Sequence, residues 1–212
     1  MAYCVGLTGG IGSGKSAASG MFEALGAAVV DTDAISRALT APGGAAIAEI
    51  RERFGPGSIG PDGGLDRERM RLLVFRDAAS RARLEGILHP LIRSRTREAI
   101  AATRAPYVVV VVPLLLETGA CMEFVQRVLV VDCEEEEQVR RVMARSGLAA
   151  GEARRIMATQ LPRAERLGRA DDVIHNDGNI EALRSQVEQL HARYSALARQ
   201  ADPGPAASGK TQ

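Results

Sequence analysis

The sequence predicts an α/β fold, a five-stranded parallel sheet flanked by helices. Three observations predict it. Five short, Val-rich apolar runs recur along the chain: Tyr3–Leu7, Ala27–Asp31, Tyr107–Val112, Arg127–Asp132 and Asp172–Asn176. They are mostly continuous rather than alternating, as strands covered on both faces are. Helical patterns lie between them, which gives βαβ units. With 212 residues, 46% of them hydrophobic, the chain suits one such domain with insertions and is short for two independent ones.

The elements follow in order. The first strand runs into a Gly-rich loop and then a helix, on which Ala17, Ala18, Met21, Phe22 and Leu25 recur at helical spacing; Gly26 is its natural terminator. The interval from about Arg37 to Arg104 is too long for a simple crossover and reads as several helices. The loop Gly55–Gly64, with five Gly and two Pro, breaks it. Asp66 is placed to cap one helix, and Pro90 to open another at its first turn. A second helical insertion follows the fourth strand. The expected division is a core of about residues 1–36, 105–139 and 170–200, a helical insertion over about 37–104, a lid over about 140–169, and a disordered tail over 201–212. No internal repeat is present.

Composition narrows the function. Aromatics are 3% with no Trp, which argues against a single-stranded nucleic-acid binder that needs stacking platforms. The net charge of +1 carries no polyanion signature. Cys4, Cys121 and Cys133 are odd in number and widely spaced, as buried thiols in a reducing cytosol are. The longest apolar run, Tyr107 to Leu116, is half of what a membrane span needs, about 20 residues. No signal-peptide n-region is visible. The reading is a cytoplasmic protein that engages no membrane; oligomeric state is not assigned. The lysines are Lys15 and Lys210, so Lys15 is the one in the expected folded body.

Lys15 sits in Gly9-Gly10-Ile11-Gly12-Ser13-Gly14-Lys15-Ser16, which matches GxxxxGK[ST] between an apolar strand and an amphipathic helix. Glycines let the backbone curl so that N–H groups converge on an anion, and the helix N-terminus adds partial positive charge. Lys15 can reach β- and γ-phosphates, and the Ser16 hydroxyl can ligate Mg²⁺. The second strand ends in Asp31-Thr32-Asp33. If the strand conformation continues, both carboxylates point the same way at the ligand edge of the sheet, one to take a proton and one to hold a metal-bound water. The other reading makes Asp33 the N-cap of a helix over Ala34–Leu39.

Arg140, Arg141, Arg145, Arg154, Arg155, Arg163, Arg166 and Arg169 crowd one segment, with Glu152 and Glu165 its only acids. They read as a basic flap over a triphosphate, a solvated face, or an RNA-binding stripe. Glu134–Glu137 reads as a helix N-terminal turn. His89 can be a mere helix-start residue and Pro113 a strand end; His175, in an apolar run, reads as a core histidine without a role.

The motifs LTGGIGSGKS (Leu7–Ser16), VVDTDAISR (Val29–Arg37), LHPLIR (Leu88–Arg93), VVPLLLE (Val111–Glu117), VLVVD (Val128–Asp132), QVRRVMAR (Gln138–Arg145) and RADDVIHNDG (Arg169–Gly178) occur in this order. With them the chain resembles the dephospho-CoA kinase family from about Tyr3 to about Ala198. The resemblance implies a P-loop, NMP-kinase-like sheet with a helical CoA-binding region and a lid. It implies ATP-dependent phosphorylation of the ribose 3′-hydroxyl of dephospho-CoA, with ATP and Mg²⁺ bound. On it, Gly10, Ile11, Gly12, Ser13, Gly14, Lys15, Ser16 and Ala17 bind ATP and Ser16 holds the metal. Asp33 is the general base, and Arg141 and Arg145 meet the phosphates. Thr8, Asp33, His89, Pro113 and Leu114 bind the acceptor. Ala17 stands where many members have Thr. Two other functions compete: a P-loop kinase for a nucleoside monophosphate, and a nucleotide-dependent switch or RNA-associated NTPase. No N-K-x-D supports guanine recognition.

Overall fold

A computed structural model describes residues 2–201. The expected tail lies, from residue 202 on, outside the described residues, and so does Lys210.

The strands form where the apolar runs stand. They are β1 (Tyr3–Thr8), β2 (Ala28–Asp31), β3 (Tyr107–Val111), β4 (Arg127–Asp132) and β5 (Asp172–His175). One sheet takes them in the order β2-β3-β1-β4-β5. β1 is central, with Gly6 opposite Val110 of β3 on one side and Val128 of β4 on the other, both pairings parallel. Every residue of β3 is buried, as its unbroken YVVVV run requires.

The helices are α1 (Lys15–Ala24), α2 (Thr32–Leu39), α3 (Ile47–Phe54), α4 (Arg67–Arg76), α5 (Ala78–Ala102), α6 (Leu115–Thr118), α7 (Glu135–Ser146), α8 (Ala150–Ala158), α9 (Arg163–Gly168) and α10 (Ile180–Ala201). Contacts divide the chain into two compact units. One holds the described residues up to Val30 and from Ile100 onward; the other is Asp31–Ala99. In the first, α1 lays Ala18 and Phe22, and α10 lays Leu183, Val187, Tyr194 and Ala198, into one core with Val5, Leu7, Val109, Leu129 and Val131. Burying a side chain such as Phe22 contributes about 1.5–3 kcal/mol, so this cluster anchors the strands that present the loop. In the second unit, Leu39, Ala46, Ile50, Met70 and Ile87 form a separate core.

Asp66 caps α4 as expected, accepting the Arg69 N–H at 3.0 Å. The three cysteines are buried and form no disulfide, and burial pushes the Cys4 thiol up to about 11 and the Cys133 thiol up to about 12. Among the described residues, no helix is long and apolar enough to cross a membrane.

Two expectations are corrected. Pro90 does not open a helix; it lies inside the 25-residue α5. A proline there denies a donor to the Gly86 carbonyl and costs on the order of 3 kcal/mol. The apolar stripe Leu84, Ile87, Leu88, Leu91 and Ile92 runs straight past it into the second core and carries the helix through. His175 is not a core residue. It ends β5, an edge strand, with its side chain 65% exposed.

Candidate active site

The chain leaves central β1 toward β2 and β3 on one side and reaches β4 and β5 on the other. Such a reversal opens a crevice at the carboxyl ends of the strands. The glycine loop occupies that end of β1. Gly9, Gly12 and Gly14 all have positive φ. Gly14, at φ 98°, is the N-cap of α1, and a Cβ there would stand 2.1 Å from the Asn176 amide nitrogen. No other residue fits that close approach. α1 then starts at Lys15, so a helix N-terminus sits directly behind the loop.

Lys15 Nζ donates to the carbonyls of Gly9 and Gly10 at 2.8 and 2.9 Å. The ammonium is thus held over the mouth of the loop. Ser16 and Ala17 are exposed in the first turn of α1, and the Ala17 N–H donates to Gly14 O. Ser13 is fully buried, and its hydroxyl has no hydrogen-bond partner among the described residues. Ile11 points away: its side chain packs with Val139, Val142 and Ala153, and its N–H donates to Gln160 Oε1 at 2.9 Å.

Helix α7 brings Arg141 to the loop. Arg141 Nη1 would lie 3.8 Å from a Cβ on Gly14, and its Nη2 donates to Asn176 O at 2.9 Å. Asn176, after β5, donates from Nδ2 to Ser13 O at 2.7 Å. Arg145 is exposed at the end of α7. Thr8, buried at the end of β1, donates its hydroxyl to Pro113 O at 3.1 Å, so two expected acceptor residues meet; Leu114 follows, 40% exposed.

Asp33 and His89 belong to the Asp31–Ala99 unit, and both are exposed. The strand does not continue through Asp33, because α2 starts at Thr32. The capping carboxylate is Asp31: its Oδ1 accepts the N–H groups of Asp33 at 2.8 Å and Ala34 at 3.2 Å. Asp33 therefore stands in the first turn of α2, and capping by Asp33 is ruled out as its task.

The arginine-rich segment is less bare than its composition. Arg140 and Arg141 both pair with Glu137, Arg154 with Glu136, Arg163 with Asp132 and Glu134, and Arg169 with Glu165. The acidic run 134–137 is more than a dipole-favoured turn: Glu137 pairs within α7, and Glu136 and Glu134 reach Arg154 of α8 and Arg163 of α9. Arg163 grips buried Asp132 through Nε and Nη2 at 2.8 and 2.7 Å. Burial raises the Asp132 pKa, but the Arg163 hydrogen bonds and charge overcome that and hold it below the ordinary value. Asp132, His175 and Asp177 come close enough to hold a cation, yet both Asp132 oxygens already accept from Arg163.

Sequence reasoning assigned no role to Asn176, Gln138 or Gln160. Gln138 Nε2 holds Cys133 O at 2.6 Å, and its Oε1 would be 2.4 Å from a Cβ on Gly10. Gln138 and Asn176 lie within quoted motifs and could have been marked. Gln160, 149 residues from the amide it holds, gave no signal.

A glycine loop on the central strand of a parallel sheet, with its lysine over the mouth and a helix N-terminus behind, defines a P-loop nucleotide-binding protein. The dephospho-CoA kinase family model matches residues 3–182. A dephospho-CoA kinase of Cupriavidus pinatubonensis is 54% identical over 197 residues, 91% of this chain and 95% of that one. The chain belongs to the dephospho-CoA kinase family. A crystal structure from Thermus thermophilus is 35% identical with a TM-score of 0.79, covering 91% of this chain and 97% of that one. A dephospho-CoA kinase from Campylobacter jejuni shares the fold, at 23% identity and a TM-score of 0.69, covering the same shares.

Proposed function

We propose that this protein is a cytoplasmic enzyme that transfers the γ-phosphoryl group of ATP to the ribose 3′-hydroxyl of dephospho-CoA, giving coenzyme A and ADP. Family membership carries the reaction. The observation that carries the roles is the loop geometry, with Lys15 Nζ gathered onto the Gly9 and Gly10 carbonyls.

The loop from Gly10 to Ala17 cradles the phosphates. Lys15 exchanges its two carbonyls for β- and γ-phosphate oxygens. Ile11 contributes by anchoring the loop, since its amide is held by Gln160. Ser16 would hold Mg²⁺: one exposed hydroxyl beside phosphate oxygens and water suits a hard, octahedral cation. Bound there, the ion would neutralise phosphate charge. Arg141, braced by Glu137 and Asn176, and Arg145 meet the phosphates. Residues 140–169 act as the lid and residues 37–104 as the acceptor-binding insertion.

Asp33 takes the proton of the 3′-hydroxyl. The 3′-oxygen forms its bond to the γ-phosphorus as the bond to the β–γ bridging oxygen breaks, and ADP leaves with that electron pair. Thr8 shapes the acceptor pocket through Pro113; Leu114 and His89 complete the assignment.

The test is coupled ADP release with MgATP and an acceptor panel. Dependence on dephospho-CoA with strong preference over AMP supports the reading; equal or better turnover of AMP would move it to a nucleotide kinase.

A further inference from the structure

The motif VVPLLLE ends in Glu117, to which the reaction as described gives no task. Glu117 is half-buried in α6, and its Oε1 accepts the Leu161 N–H at 3.0 Å, in the turn between α8 and α9. A carboxylate on a backbone N–H makes a stronger tie than a neutral acceptor does. The Leu161 carbonyl is held as well, by Arg166 Nη2 at 2.7 Å. Pro162 follows, with its φ fixed by the ring. Both backbone polar groups of Leu161 are therefore fixed, and the turn is stiff where Gln160 stands. Gln160 Oε1 in turn accepts the Ile11 N–H of the glycine loop at 2.9 Å.

The other end of α6 is set just as firmly. Leu115 is fully buried, and its Cδ2 would lie 2.7 Å from a Cβ on Gly6 of β1. Thr118 donates both its N–H and its hydroxyl to Leu114 O, and Thr8 donates to Pro113 O. One path of contacts thus runs from Pro113 and Leu114 through Glu117, Leu161 and Gln160 to Ile11. All of it lies in the unit built on the sheet. In-line transfer tolerates little misplacement: an error of about 1 Å costs about 10²-fold in rate.

We propose that Glu117 is a positioning residue for phosphoryl transfer. By holding the Leu161 N–H it keeps Gln160 on the Ile11 amide, and so fixes the phosphate loop in register with the acceptor segment Pro113–Leu114. This rests on the loop holding ATP and on that segment meeting the acceptor, as described above. Glu117 acts through alignment, so disturbing it lowers kcat rather than the affinity for MgATP, which Lys15 and the other loop amides supply. The task needs the reach of an oxygen, not a charge. The charge is a separate matter: burial lowers the Arg166 pKa, and the Glu117 charge opposes that.

The experiment measures kcat, KM for MgATP at saturating dephospho-CoA, and thermal melts. Glu117→Gln keeps an acceptor oxygen at the same length and should stay within about fivefold of wild-type kcat. Glu117→Asp keeps the charge but withdraws the oxygen by one methylene. It should lose about 10²-fold in kcat while KM for MgATP moves less than about threefold. Gln160→Leu should lose as much, and it decides the matter if Glu117→Asp does not fold. The Glu117→Asp, Gln160→Leu double variant should lose no more than the worse single one, because both interrupt one path. Near wild-type kcat in either folded single variant overturns the proposal. So does a Glu117→Gln enzyme as impaired as Glu117→Asp, which would make charge the requirement, and so do losses that multiply in the double variant. A melting temperature that falls while kcat holds would make Glu117 a stabilising tie only. Wild-type protein without acceptor-dependent ADP release would sink the kinase reading and this proposal together; wild-type turnover beside a fully active Glu117→Asp enzyme sinks this proposal alone.

Discussion

The carboxylate of Asp31 accepts the backbone N–H of Asp33 at 2.8 Å. Two aspartates that look equivalent in sequence therefore have different tasks: Asp31 starts the helix, and Asp33 rides on its first turn. Asp31→Ala should cost about 1 kcal/mol of stability, the usual value of an N-cap. Asp33→Asn should leave stability and ATP affinity nearly unchanged while abolishing most turnover. Denaturant melts and steady-state kinetics on both variants check the split. An Asp33→Asn enzyme with near wild-type kcat would remove Asp33 from the role of base.

Lys15 holds the loop carbonyls of Gly9 and Gly10. Lys15→Ala should lose most turnover and weaken ATP binding, measured by calorimetry with a non-hydrolysable analogue. Unchanged binding together with unchanged kcat would contradict the assignment.

Gly14 combines a φ of 98° with a close approach by Asn176, whose Nδ2 would stand 2.1 Å from a Cβ there. Gly14→Ala should therefore lose about 1–3 kcal/mol from backbone strain alone, and more from displacing Asn176. Activity should fall with it. A Gly14→Ala protein as stable and active as wild type would show that the loop conformation is not required.

Hydrogen bonds from Arg140, with Arg141 adding to them, hold the Glu137 carboxyl at about 2 against an ordinary 4.5. A depressed carboxyl stabilises the fold above its unfolded value and loses that contribution as pH falls. The contribution should be complete above about pH 4.5 and gone near pH 2. Melts of wild type and Glu137→Gln should thus differ at pH 6 and converge toward pH 2. A difference that persists unchanged at low pH would contradict the pairing.

The strands and the loop were legible because their signals are local. An unbroken run such as Tyr107–Val112 declares a strand buried on both faces, and GxxxxGKS between strand and helix declares a phosphate cradle. Pro90 misled because the local penalty of a proline was weighed without the apolar stripe on both sides of it. His175 misled because an apolar run does not reveal which strand will lie at a sheet edge. The difference between Asp31 and Asp33 turned on a helix that begins one residue earlier than strand alternation allows. Gln160 was invisible for another reason: it works through a backbone group, the Ile11 N–H, and no side-chain pattern marks a backbone partner.

The most direct test of the central claim is ADP release from purified protein with MgATP, with and without dephospho-CoA, alongside AMP and the Asp33→Asn variant. The account predicts ADP formation that requires dephospho-CoA, yields coenzyme A and collapses in Asp33→Asn. Slow hydrolysis indifferent to any acceptor would contradict it.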